Sequence, residues 1–263
     1  MENLLRRIVA DKRAEVRRRR DKISLSEIQK NAAAAPPPRD FTAALRGARK
    51  NGRFPAIAEI KYKSPSRGVL RADFDPAALA RSYEDGGAAC ISVLTDAPYF
   101  GGDDSHLRRA RDACALPALR KDFIAEEWQI YESRVLGADA VLLLAAALSA
   151  AEMRYLAKIA ATLGMAVLAE SHDESELRAA LRTPDAWIGI NNRDLGDFRV
   201  SLQTSLDLLP LAAGRATVAE SGIASAADVA LLSRAGADAF LIGETLMRAE
   251  NPAAALQELF APE

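Results

Sequence analysis

The chain has 263 residues, 27% of them charged, and a formal net charge of −1; its length fits one large domain with a sizeable core. Such balanced charge does not favour binding to nucleic acid, and the longest apolar run, Val141 to Leu148, is far shorter than the roughly 20 residues of a membrane-spanning helix. Cys90 and Cys114 have neither metal-ligand spacing nor the density of a disulfide scaffold, so we expect a cytoplasmic protein without a metal site.

The first 50 residues are predicted to form a helical extension. The segment LLRRIVADKRAEVRRRR indicates an amphipathic helix, with an apolar stripe of Leu4, Leu5, Ile8 and Val9 that Val16 continues. Its four arginines at 17–20 raise the hypothesis of a nucleic-acid site, but a solvated helix face is the preferred interpretation because no aromatic residues are interleaved with them.

A repeating strand–helix unit follows the extension. The stretches GGAACISVLT, LGADAVLLLA and AGADAFLIGE share a glycine before an apolar strand, and their spacings are close to multiples of about 25 residues. Further apolar runs (FPAIAEI, LPALRK, MAVLAE, AWIGIN and ATVAES) complete eight strands. Capping-box patterns at Ser149/Glu152 and Asp173/Glu176 start two of the helices. Residues 51–263 are therefore predicted to be a single (β/α)8 barrel, and the absence of a GxGxxG motif disfavours an open dinucleotide-binding sheet.

The first barrel strand leads into charged residues at every second position. In AEIKYKSPSRG (residues 58–68), Glu59, Lys61 and Lys63 would lie on one face of an extended strand. A charge that faces the core must be paired or functional, because burying it alone is costly.

Other predicted strands also end in polar residues. In barrels of this kind the chemistry lies at the carboxyl ends of the strands, which converge on one mouth. The polar strand ends are Glu59, Lys61, Lys63, Lys121, Asp122, Glu170, Asn191, Asn192, Arg193, Glu220, Ser221, Gly222, Gly243 and Glu244. Individual members could be structural ion pairs, but so many on one rim favour a site for proton transfer on an oxygen-rich, anionic substrate.

The last two strand ends predict a phosphate site. Gly222 and Gly243 follow strands seven and eight, where barrel enzymes frequently bind phosphate through backbone N–H groups. Lys63 and Ser64 are candidates to complete it.

Segments throughout the chain resemble the indole-3-glycerol-phosphate synthases of tryptophan biosynthesis. The segments that carry the resemblance are IVADKRAEV, AEIKYKSPSRG, LRKDFI, IGINNRDL, VAESGI and LIGETLM. The resemblance implies a lyase that closes the indole ring of 1-(2-carboxyphenylamino)-1-deoxyribulose 5-phosphate with loss of carbon dioxide and water. It also implies that no cofactor is used, that the protein is a monomer and that the extension covers the barrel mouth. One departure is Ser171, where the family usually has an apolar residue after its glutamate.

The resemblance also implies roles for individual residues. Lys121 would be the general acid and Glu170 the general base, while Lys61 would hold the substrate carboxylate with Glu59 orienting it. Asn191 and Glu220 would orient the substrate and the catalytic lysine. The remaining matches are three substrate contacts (Arg193, Ser221 and Phe123) and a phosphate cradle (Ser64, Gly222, Gly243 and the backbone of Glu244).

Two other interpretations remain open at this stage. One is an aldolase that forms a Schiff base through Lys61 or Lys121. The other is a non-catalytic phosphosugar-binding barrel, because fold does not fix function. His172, close to Glu170, is expected to tune that carboxylate rather than to act as a base itself.

Overall fold

The computed structural model describes residues 4–194 and 198–261. Residues 1–3 of the predicted extension, and residues 195–197 and 262–263 of the predicted barrel, lie outside the described residues. Three helices precede the barrel: α1 (Leu4–Arg20), α2 (Leu25–Ala34) and α3 (Phe41–Gly47). The side chains of Ser24 and Asp40 cap α2 and α3 by accepting hydrogen bonds from backbone N–H groups three residues ahead. A short 3-10 turn at Arg49–Asn51 leads into the barrel.

Eight parallel strands close into a barrel, which confirms the predicted (β/α)8 architecture. The strands of the chain are β1 (Phe54–Ile60), β2 (Lys63–Ser64), β3 (Gly68–Val69), β4 (Ala88–Leu94), β5 (Ala118–Lys121), β6 (Ala140–Leu144), β7 (Ala166–Ser171), β8 (Trp187–Asn191), β9 (Thr217–Glu220) and β10 (Ala239–Ile242). β1 pairs with both β4 and β10 to close the ring, whereas β2 and β3 form a separate antiparallel hairpin.

Helices surround the barrel. They are α4 (Pro76–Asp85), α5 (Ala97–Phe100), α6 (Asp104–Ala113), α7 (Glu127–Val135), α8 (Ala150–Thr162), α9 (Glu174–Ala180), α10 (Gln203–Leu208), α11 (Ala226–Arg234), α12 (Glu244–Arg248) and α13 (Pro252–Leu259). The predicted capping box of α8 is complete, but in α9 only Asp173 caps, because the Glu176 carboxylate accepts from His172 N instead. None of the helices in the described ranges is long and apolar enough to cross a membrane.

The amino end of the barrel is closed by α3. Phe41 and Leu45 are buried in the same apolar cluster as Cys90, Ala140 and Trp187, which lie near the starts of their strands. Burying a phenylalanine or leucine side chain contributes about 1.5–3 kcal/mol, so α3 forms a stable plug at this end.

The first helix lies at the opposite end, near the carboxyl ends of β4 to β6. The ammonium group of Lys12 is 3.0 Å from carboxylate oxygens of both Asp96 and Asp122, which follow β4 and β5. α2 packs between these ends against α7, through Ile28 and Trp128. The extension thus contacts the barrel at the mouth, along its side and at its base.

Candidate active site

The residues that were given a catalytic, substrate-binding or phosphate-binding role from the sequence, with one exception, line a single cavity at the carboxyl ends of the strands. They are Glu59, Lys61, Ser64, Lys121, Phe123, Glu170, Asn191, Arg193, Glu220, Ser221, Gly222, Gly243 and Glu244. The exception is Lys63, which is not among the lining residues; its aliphatic chain lies against Gly101 at the end of α5. β1 ends at Ile60 and the chain then turns into the β2–β3 hairpin, so the alternation of a strand does not extend to Lys63.

A lysine between two buried glutamates forms the centre of the cavity. Lys121 Nζ donates to Glu170 Oε2 at 2.8 Å and to Glu220 Oε2 at 2.6 Å. Asn191 Nδ2 donates to the other Glu170 oxygen at 2.9 Å. These residues come from the ends of β5, β7, β8 and β9, and the pairing of Asn191 with Glu220 aligns the last two. The register of the barrel therefore brings polar side chains from the ends of four strands into direct contact.

The surroundings separate the protonation behaviour of these groups. Burial opposes the ammonium of Lys121, but the charges of Glu170 and Glu220 outweigh it and raise the lysine pKa. Burial also opposes the charged form of Glu170, yet Lys121 and His172 outweigh it and lower the pKa of Glu170. For Glu220, burial and the Glu170 charge together raise the pKa. Two carboxyl groups pushed apart in this way can take different acid–base roles.

A second lysine–glutamate pair lies at the end of β1. Lys61 Nζ donates to Glu59 Oε1 at 2.5 Å, and Glu59 is only 3% exposed. Gly243 makes room for this carboxylate, because a Cβ atom there would be 2.5 Å from Glu59 Oε1. Lys61 therefore lines the cavity, and its Nζ atom is held in place by the buried Glu59 carboxyl group.

The far side of the cavity combines an arginine with an unusual backbone turn. Arg193 Nη2 is 3.1 Å from Glu244 Oε2, and Arg193 N donates to Asn191 Oδ1 at 3.0 Å. Ser221 and Gly222, directly after β9, both have positive φ angles, of 67° and 78°. A positive φ at a serine is strained, and such strain clusters at functional sites.

Sequence reasoning missed the apolar part of the lining and one buried lysine. Leucines, together with Phe100 and Ile223, supply the apolar wall. Lys12, which is 3% exposed, lies in a cluster with Asp96 and Asp122. Asp122 is the residue that follows Lys121 in the chain. A signal was present in the sequence, since Lys12 follows Ile8 by four residues and precedes Val16 by four, on the apolar stripe of α1. No group of three potential metal-ligating side chains was found within the described residues.

The closed barrel carries its lysine–carboxylate cluster at the carboxyl ends of the strands, where (β/α)8-barrel enzymes hold their active sites. The family model described as indole-3-glycerol phosphate synthase matches residues 5–259. The chain belongs to this family, and the resemblance found in its sequence segments is confirmed.

Relatives with that name cover nearly the whole chain. The indole-3-glycerol phosphate synthase of Azoarcus sp. strain BH72 is 52% identical over 263 residues, covering 99% of this chain and 100% of the relative. That of Chromobacterium violaceum is 50% identical over 261 residues, covering 99% and 98%.

Solved structures of much lower identity share the fold alone. The tryptophan synthase alpha subunit of Legionella pneumophila superposes with a TM-score of 0.60 at 13% identity, covering 84% of this chain and 96% of that one. Thiamine phosphate pyrophosphorylase of Pyrococcus furiosus gives a TM-score of 0.56 at 17% identity, covering 78% and 92%.

Proposed function

We propose that the chain converts 1-(2-carboxyphenylamino)-1-deoxyribulose 5-phosphate to indole-3-glycerol phosphate, as a carboxy-lyase of tryptophan biosynthesis. The observation that carries the proposal is the Lys121 ammonium held between Glu170 and Glu220 in the cavity. This arrangement supplies one proton donor and one ionised carboxylate within reach of the same substrate atoms. Lys121, Asn191 and Glu220 lie in the segments LRKDFI, IGINNRDL and VAESGI that carry the family resemblance, whereas Glu170 precedes the one departure from it, Ser171.

Ring closure requires a proton at the substrate carbonyl oxygen. The aromatic ring carbon that bears the carboxylate attacks the ketone carbon, and Lys121 donates its proton to the oxygen that becomes a hydroxyl group. Lys61, anchored by Glu59, holds the substrate carboxylate until it leaves as carbon dioxide. A positioned general acid of this kind contributes about 10²- to 10⁴-fold to a rate.

The second half of the reaction eliminates water. Glu170 removes a proton from the carbon beside the ring nitrogen, Lys61 donates a proton to the new hydroxyl group once the carboxylate has left, and the hydroxyl departs as water to give the aromatic indole. Glu170 suits this role because neighbouring cations keep it ionised despite its burial. Glu220 and Asn191 orient Lys121 and Glu170 through direct hydrogen bonds.

The phosphate would bind on the far side of the cavity. The contacts that we propose are the backbone N–H groups of Gly222, Gly243 and Glu244 and the hydroxyl of Ser64, with Arg193 and Ser221 contacting the sugar portion. Phe123 would pack on the aromatic ring. Lys63 is left out of this set because its side chain lies beside Gly101.

We also propose a cytoplasmic monomer that uses no cofactor and binds no nucleic acid, with residues 1–50 as an extension of the barrel of residues 51–263. Within the extension, α1 would cover the mouth, since Lys12 joins it to the residues after β4 and β5.

The test is the appearance of indole fluorescence when the purified protein meets the carboxyphenylamino-deoxyribulose phosphate. The parent should turn over, Lys121→Ala should lose about 10²-fold or more of kcat, and the exposed Lys158→Ala should match the parent. Full turnover by Lys121→Ala would refute its role as the acid. Silence from the parent with saturable binding retained would favour a non-catalytic phosphosugar-binding barrel.

A Schiff-base mechanism is tested by borohydride trapping with a keto-sugar phosphate. Such a mechanism needs a neutral amine, whereas the flanking carboxylates raise the pKa of Lys121. We therefore expect no covalent adduct on Lys121, and an adduct on either Lys121 or Lys61 would refute the acid–base mechanism.

A further inference from the structure

A histidine beside the proposed base lies between two glutamates. His172 Nδ1 is 3.0 Å from Glu176 Oε2, and His172 Nε2 is 3.4 Å from Glu170 Oε1. The His172 side chain is 12% exposed, and its Nε2 atom is buried without a better hydrogen-bond partner among the described residues. The ring thus bridges α9 and the end of β7, with a carboxylate oxygen at each nitrogen.

Glu176 fixes the position of this ring twice. The same Oε2 atom accepts from the backbone N–H of His172 at 2.8 Å and faces Nδ1 of its ring. This is why Glu176 does not complete the expected capping box with Asp173. Glu176, in the first turn of α9, orients the His172 side chain at the active site instead of capping the helix.

The geometry favours the doubly protonated ring. With Nδ1–H donated to Glu176, a neutral histidine would turn the lone pair of Nε2 towards an oxygen of the Glu170 carboxylate. Protonation of Nε2 replaces that repulsion with a charge-assisted hydrogen bond. The other groups near the ring are Glu220, which also favours the cation, and Lys121, which opposes it from the far side of Glu170.

We propose that Glu176 and His172 form a relay that orients Glu170 and keeps it ionised for proton removal. Both are positioning residues, because they act through Glu170. This inference deepens the proposed function and rests on Glu170 being the base. Burial lowers the pKa of His172, but the hydrogen bond with Glu176 and the charge of Glu170 outweigh burial and raise it. The relay therefore operates below the pKa of His172 and is lost as the pH rises through it.

The relay can be measured directly because the chain has only two histidines. Nitrogen-15 NMR of the imidazole rings gives the protonation state and pKa of each, and His106→Gln assigns the signals. We expect His172 to titrate above His106, whose pKa is lowered chiefly by burial. Glu176→Gln and Glu170→Gln should each lower the pKa of His172 by about one unit or more.

The matched control is Glu174→Gln on the same helix turn, an exposed residue paired with Arg178. It should leave the pKa of His172 unchanged. A His172 pKa that is the same in the parent, Glu176→Gln and Glu170→Gln proteins would overturn the relay. This measurement needs no turnover, so failure of the relay can be told apart from failure of the proposed reaction.

Kinetics separate a positioning role from a packing role. Glu176→Gln should lower kcat several-fold with little change in KM, and should move the alkaline fall of kcat to lower pH. His172→Leu should lose more, and His172→Gln, whose amide can donate to Glu170, should recover part of the rate without the titration. Equal rates and pH profiles for His172→Leu and the parent would overturn the proposal.

Discussion

Replacing Lys12 with methionine should destabilise the protein strongly, although Lys12 lies in the helical extension. Its Nζ atom is 3.0 Å from oxygens of Glu15, Asp96 and Asp122, and the two aspartates are each only 1% exposed. Methionine keeps the length of the side chain but removes the ammonium, so two buried carboxylates lose their shared cation. Breaking a buried ion pair from one side costs about 3–5 kcal/mol, and we expect the lower end because Asp122 keeps its contact with Arg120.

Urea unfolding at neutral pH measures this loss as a fall in the free energy of unfolding. The control is Arg18→Met, an exposed position on the same helix, which should change stability by less than about 0.5 kcal/mol. Because Asp122 follows Lys121 directly, Lys12→Met should also lower kcat under conditions where the protein is folded. A loss for Lys12→Met no larger than that of Arg18→Met would refute this account of the Lys12 cluster.

Three further changes test the barrel mouth. Gly189→Ala places a Cβ atom against Glu220 Oε1, so kcat should fall by about 10²-fold while circular dichroism stays unchanged. Gly222→Ala, at a φ of 78°, should raise KM for the phosphorylated substrate more than it lowers kcat. Burial opposes the charge of Asp122, but Arg120 outweighs it and lowers the pKa of Asp122 to about 2. Its contribution of about 2 kcal/mol should be present above about pH 4 and lost towards pH 2, so the acid-side slope of the unfolding free energy should be shallower in Asp122→Asn.

The barrel was predictable because its signals are local. Each barrel strand is a short apolar run, most of them after a glycine such as Gly87, Gly137 or Gly236, and eight such runs in sequence leave few other topologies. The position of the site followed from the same pattern, since polar residues at the carboxyl ends of parallel strands must converge. Lys121, Glu170 and Glu220 meet in the cavity for that reason.

The parts that could not be predicted depend on where regular structure stops. The alternation that grouped Lys63 with Glu59 and Lys61 holds only while the strand continues, and β1 ends at Ile60. The pairing of His172 with Glu176 depends on a choice between two backbone N–H groups at the start of α9, which local sequence leaves open. Lys12 needed its partners on β4 and β5 to be placed in three dimensions first.

The helical extension contacts the barrel at both ends, like a clasp. At the mouth, Lys12 joins α1 to the residues after β4 and β5, and at the opposite end Phe41 packs α3 into the base. Shortening the chain from its start therefore releases the rim first and opens the base only when the cut passes α3. Two truncated proteins, beginning at residues 21 and 48, would separate what the clasp does for turnover from what it does for holding the barrel shut.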